Sequence, residues 1–107
     1  MAVTWYLYVV RTVKGSLYAG IATNVTRRYQ EHVTGSRKAA RFLRANPPKE
    51  LAFKRRIGSR SLALKVEYRF KRLPKRNKEA IVRTGNLHFD RESGEIRLSR
   101  RNCSKCH

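Results

Sequence analysis

The sequence predicts an α+β domain, and three observations carry that reading. A chain of 107 residues, 40% of them hydrophobic, has apolar material for one small domain with its own core and needs no disulfide staples. Near the start, two short runs rich in aromatic and β-branched residues flank a glycine turn. Beyond them, apolar residues recur at helical spacing between capping residues and Gly or Pro stops.

Trp5-Tyr6-Leu7-Tyr8-Val9-Val10-Arg11 reads as a buried strand, Lys14-Gly15 as a turn, and Leu17-Tyr18-Ala19-Gly20-Ile21 as the returning strand of a hairpin. Thr23 or Asn24 can cap a helix that runs to about Thr34 and stops at Gly35, with Val25, Tyr29 and Val33 as its apolar stripe. Residues 36–49 are basic and close with Pro47-Pro48, which predicts a short helix and then a turn. Leu51-Ala52-Phe53 begins a third strand that ends in Lys54-Arg55-Arg56. Ser59 or Ser61 can cap a second long helix, in which Leu62, Val66, Phe70 and Leu73 are helically spaced. Pro74 stops that helix at Leu73 and suits the first position of the next, which carries Ala80, Ile81 and Val82 and ends near Gly85. Leu87-His88-Phe89 and Ile96-Arg97-Leu98 alternate around Arg91-Glu92-Ser93-Gly94, the pattern of a loose hairpin or of a disordered extension.

Charge points to the partner. Twenty-six Lys and Arg face seven acids, a net charge of +19. That excess costs self-repulsion in the compact state, and a polyanion relieves it. Nucleic acid is the expected partner, DNA ahead of RNA. A membrane surface is disfavoured, because no amphipathic apolar face stands out beyond the core stripes. No apolar run is long enough to span a bilayer. Met1-Ala2-Val3-Thr4 lacks the charged start and long apolar stretch of a signal peptide, so a cytoplasmic monomer is expected.

Few residues can carry chemistry. Between Glu50 and Glu79 the sole acid is Glu67, set among Lys65, Arg69, Lys71 and Arg72. Such a carboxylate either forms a local ion pair or binds a cation such as Mg²⁺, which often takes one or two protein carboxylates and fills its other positions with water and phosphate oxygens. Arg28 and His32 stand four residues apart and share a helix face. A guanidinium can clamp a phosphate and an imidazole can donate to it or move a proton.

Tyr6-Leu7-Tyr8, followed by Tyr18-Ala19-Gly20, resembles the two motifs of the GIY-YIG nuclease superfamily. Tyr18 lies ten residues after Tyr8, and Arg28 ten after Tyr18, at the place of the superfamily's helical arginine. His32 follows where many members have a histidine, and Ser61-Leu62-Ala63-Leu64-Lys65-Val66-Glu67-Tyr68-Arg69 looks like the segment with the metal-binding glutamate. The whole closely resembles the small single-domain bacterial branch of the superfamily. The departures are Tyr6 and Leu7 for the Gly and Ile of the first motif, and Ala19 for the Ile of the second.

The resemblance implies a three-stranded antiparallel sheet flanked by helices, a domain over residues 4–83 and an extension over 84–107. It implies a metal-dependent endonuclease in which Tyr8 activates or positions the attacking water and Tyr18 completes its hydrogen-bond network. Arg28 then binds the scissile phosphate beside His32, and Glu67 holds a single Mg²⁺ or Mn²⁺. Asn77 is the candidate counterpart of an asparagine that often follows the glutamate. The positive neighbours are expected to lower the Tyr8 phenol pKa. The alternative is a non-catalytic nucleic-acid-binding module with the same fold. Cys103-Ser104-Lys105-Cys106-His107 matches the C-x-x-C-H pattern of haem attachment, but it has no export signal or surrounding domain. Its three side chains can otherwise supply zinc ligands.

Overall fold

The computed structural model describes residues 3–35 and 40–98. Strands β1 (Trp5–Thr12), β2 (Leu17–Ala22) and β3 (Pro48–Gly58) form an antiparallel sheet in the order β2-β1-β3. Helices α1 (Val25–Thr34) and α2 (Arg41–Ala45) lie between β2 and β3 in sequence. Helices α3 (Arg60–Lys71) and α4 (Lys75–Thr84) follow β3, and a two-stranded ribbon, β4 (His88–Phe89) and β5 (Ile96–Arg97), comes last. This is the predicted α+β architecture.

The central strand is buried on both sides, which is why Leu7-Tyr8-Val9-Val10 is a continuous apolar run. Its alternate residues serve two clusters. Leu7 and Val9 pack with Phe53, Ile57, Ala63, Val66 and Phe70 beneath α3. Tyr8 and Val10 pack with Ala22, Val25 and Leu43 beneath α1 and α2.

The caps explain where the helices start. The Asn24 side chain accepts the Arg27 N–H at 3.0 Å and opens α1, and Ser59 accepts the Leu62 N–H at 3.2 Å and opens α3. Pro74 stands at the N-cap of α4, one position earlier than expected. Strand β3 is longer than predicted at both ends, because pairing with β1 continues through three register shifts and Pro48 is tolerated at a strand start.

The predicted stripe of α1 needs correction. Val33 is 49% exposed, whereas His32 is buried. At 100° per residue the inward arc centres on Val25 and His32, with Arg28 and Tyr29 on its flanks, and Val33 falls outside it.

The β4–β5 ribbon packs on the α3 side, with Leu87 buried and Phe89 and Ile96 against the same cluster. Gly94 makes that docking possible. A Cβ there would lie 2.5 Å from Lys65 Cβ, and its φ of +76° suits glycine. No helix among the described residues is long and apolar enough to cross a membrane.

Candidate active site

Tyr8 is the centre of the site, and Gly20 is the reason it can be. The two residues are partners in the β1–β2 pairing. The tyrosine ring crosses the neighbouring strand, so that a Cβ at Gly20 would lie 2.6 Å from the Tyr8 hydroxyl oxygen and 2.8 Å from Cζ. Both distances are far inside van der Waals contact. The phenol therefore reaches over β2, an edge strand of the sheet.

From the α1 side, His32 places Nε2 2.9 Å from the Tyr8 oxygen. His32 Nδ1 accepts the backbone N–H of Ala40 at 3.2 Å. A neutral imidazole that accepts at Nδ1 carries its hydrogen on Nε2, so His32 donates to Tyr8. Burial, reinforced by the Arg28 charge and opposed by Glu31, holds the His32 pKa below its ordinary 6.5. The ring is neutral at physiological pH.

Arg28 lies one turn earlier. The charge of its guanidinium reaches the Tyr8 hydroxyl, and the group pairs with Glu31 at 3.0 Å. It also lines an open cleft of ≈ 190 Å³ with Trp5, Asn24, Arg27 and Glu31.

The Tyr8 phenol is pushed up to about 12, first by burial and then by the charge of Tyr18; Arg28 opposes the shift without overcoming it. This reverses the expected lowering. Taking the ring out of water outweighs the pull of one guanidinium that is shared with Glu31.

Tyr18 meets the His32 ring edge-on at 5.8 Å between centroids and stacks on Phe42 at 5.9 Å. From the α3 side, Lys71 sets its Nζ 5.7 Å from the Tyr18 centroid and 3.2 Å from a Glu67 oxygen. The Glu67 side chain is 18% exposed, and its charge reaches Tyr8. Tyr8, Tyr18, Arg28, His32 and Glu67 are thus linked through direct contacts and Lys71. The local ion pair also weighed for Glu67 is present, with Lys71 one turn on.

Asn77 is half-buried in the first turn of α4, and no hydrogen bond among the described residues joins its side chain to this cluster. Cys103, Cys106 and His107 lie outside the described residues.

Sequence reasoning missed Glu31, Phe42 and the Ala40 amide; it quoted Gly20 only as part of a motif and Lys71 only among the candidate ion-pair partners of Glu67. The i,i+3 spacing of Arg28 and Glu31, and the i,i+4 spacing of Glu67 and Lys71, were available signals. The Phe42 stack and the Ala40 bond depend on how α2 returns to the sheet, which no local pattern encodes.

With this geometry in place, the chain can be set beside known proteins. Residues 4–80 match the GIY-YIG catalytic domain. The chain belongs to the GIY-YIG family. GIY-YIG is a nuclease superfamily, and this member is similar to small bacterial relatives. It is 52% identical over 81 residues to the UPF0213 protein of Citrobacter koseri, covering 76% of this chain and 79% of that one. It is 48% identical over 95 residues to the UPF0213 protein YhbQ of Salmonella typhimurium, covering 89% and 87%. Over 81 residues it is 52% identical to YhbQ of Escherichia coli O8, covering 76% and 79%. No solved structure matches it.

Proposed function

We propose that this GIY-YIG member is a cytoplasmic, monomeric, metal-dependent endonuclease that hydrolyses phosphodiester bonds in nucleic acid, DNA ahead of RNA. The observation that carries the reading is the Tyr8 hydroxyl, bonded to His32 Nε2 at a sheet edge where the charges of Arg28 and Glu67 also reach it.

Each residue has a task. Arg28 reaches the scissile phosphate through the cleft beside α1 and stabilises the charge that builds on its oxygens. Tyr8 orients the attacking water and, as phenolate, takes its proton while the new oxygen–phosphorus bond forms and the bond to the leaving sugar oxygen breaks, that oxygen taking its proton from solvent. His32 Nε2–H donates to the Tyr8 oxygen and the Arg28 charge reaches it, and both favour its ionised form. Tyr18 fixes the His32 ring from its edge and shields it with Phe42. With the phenol pKa at about 12, only about one molecule in 10⁵ is phenolate at pH 7, so cleavage should accelerate as pH rises from 7 to 9.

The donor set fits a hard divalent cation. Glu67 offers one partly exposed carboxylate, and no three His, Cys, Asp or Glu side chains cluster among the described residues. That suits Mg²⁺ or Mn²⁺ retaining most of its water, rather than a cation in an all-protein cage. Bound at Glu67, the cation would supply Lewis-acid stabilisation of the phosphate oxygens.

The test is to incubate purified protein with single-stranded, duplex and branched DNA, with and without Mg²⁺, beside Glu67→Ala. Cleavage should require Mg²⁺ and fall by orders of magnitude in the variant. Binding should hold or tighten, since one repulsive charge is gone. Equal cleavage by both proteins would leave the non-catalytic binding module as the function.

A further inference from the structure

The outer face of α3 holds side chains that neither the core nor the proposed hydrolysis uses. Leu64 and Tyr68, one turn apart, are 39% and 60% exposed. One turn further, the Arg72 guanidinium sits 5.3 Å from the Tyr68 ring centroid. The fold gains little from a phenol at that exposure, because α3 packs on the core through Ala63, Val66 and Phe70.

Beside Tyr68, α3 and the β4–β5 ribbon enclose a cleft of ≈ 250 Å³, with Leu73 and Ile96 as its apolar lining and Arg69, Arg72 and Glu95 as its polar groups. Its far wall is fixed. Gly94 presses against the Lys65 and Val66 backbone, and the Lys65 ammonium donates to the Glu92 carbonyl at 3.0 Å. A flat ring, two guanidinium groups and an apolar lining are what a nucleobase stacks on. Glu95 repels phosphate and can accept from exocyclic amines, so the cleft favours a base over the backbone.

The cleft lies round α3 from the catalytic cluster. Glu67 and Lys71 share one line along α3, and Tyr68 and Arg72 lie 100° further round. Phe42 stacks on Tyr18, Lys71 covers the Tyr18 ring, and Arg72 covers Tyr68. Two ring–cation sites therefore stand around α3, one at the active site and one at the cleft, as a track across the helix.

We propose that this track binds an unpaired nucleic-acid strand leaving the active site, and that the Tyr68–Arg72 cleft takes one unstacked base. A base inside a duplex has both faces covered and cannot enter. The substrate class is then nucleic acid with a single-stranded segment next to the cleaved bond. The inference rests on the nuclease reading above, but its test needs no cleavage.

The probes are a blunt fluorescent DNA duplex and the same duplex with a single-stranded tail of mixed sequence, titrated by anisotropy without divalent metal. Tyr68→Ala should weaken binding of the tailed DNA about tenfold, the scale of one lost stacking contact, and change blunt-duplex binding by less than about twofold. Tyr68→Phe should match wild type, and Arg72→Gln should lower tailed binding more than blunt. Circular-dichroism melting of each variant checks the fold, and Tyr68→Trp, which enlarges the stacking surface, should tighten the tailed complex. Equal losses on both DNAs, or no loss on either, would overturn the proposal and leave the nuclease reading standing. Failure of the wild-type protein to bind either DNA would overturn both.

Discussion

The two faces of the sheet are built from neighbouring residues of one strand and are chemically unlike. Beneath α3, Leu7 and Val9 meet Phe53, Ile57, Ala63, Val66 and Phe70, an apolar layer with no polar group among them. Beneath α1 and α2, Tyr8 and Val10 meet a layer that also holds His32, Arg28 and Tyr18. The period of two along β1 therefore separates what stabilises the domain from what can react. A residue shifted by one position would change function class as well as face.

Single substitutions can break this division. The largest loss of stability is expected on the apolar side, where Phe70→Ala should cost about 3–5 kcal/mol in urea unfolding. Cleavage per folded molecule should be nearly unchanged. On the polar side, Tyr8→Phe should lower cleavage by about 10²–10⁴-fold, the range for loss of a general acid–base group. It should cost only about 1–3 kcal/mol of stability, because His32 Nε2–H loses its acceptor while the ring stays packed. If Phe70→Ala damages cleavage as badly as Tyr8→Phe, the faces are not separate.

Gly20→Ala sharpens the comparison, since it touches the polar face through the backbone of β2. Its methyl would collide with the Tyr8 hydroxyl and ring. The ring must shift, so cleavage should drop toward the Tyr8→Phe level with about 1–3 kcal/mol of overpacking cost. Near-normal cleavage would mean that the position of the Tyr8 oxygen is not critical.

Salt gives a smaller and more diffuse effect. The cationic segments 54–60 and 69–78, together with that at 37–44, should make nucleic-acid affinity fall steeply on a salt series. A flat series would remove nucleic acid as the reason for the charge.

The smallest effect is a pH dependence of stability. His32 has a lowered pKa in the fold, so the unfolded chain binds its proton more readily. Stability from this group is complete above about 6.5, the unfolded value, and declines as pH falls below it toward the native value. Melting temperatures from pH 8 to 5 should show this decline, reduced in His32→Gln.

Which parts were legible in the sequence follows from which forces are local. The β1–β2 hairpin, the Asn24 and Ser59 caps and the Gly35 and Gly85 stops depend on a few adjacent residues, and the sequence placed them within a residue or two. The site residues were legible only as a set, through the spacing of Tyr8, Tyr18, Arg28, His32 and Glu67. The full length of β3, the exposure of Val33 and the rise of the Tyr8 pKa were not legible. Each depends on what another element covers: β1 for the strand, the sheet for the helix face, and α1 for the phenol. Glu31, a short step from Arg28, was visible as a neighbour but not as a partner, whereas Lys71 stood among the partners weighed for Glu67.

One measurement bears most directly on the claim that these residues form a single hydrolytic unit. Single-turnover cleavage of one labelled DNA is compared for wild type, Tyr8→Phe, Glu67→Ala and the double variant, with Mg²⁺ and matched folded concentrations. Groups that act together lose their effect together, so the double variant should be about as slow as the slower single variant. Losses that multiply, or a Glu67→Ala protein as fast as wild type, would contradict a shared site.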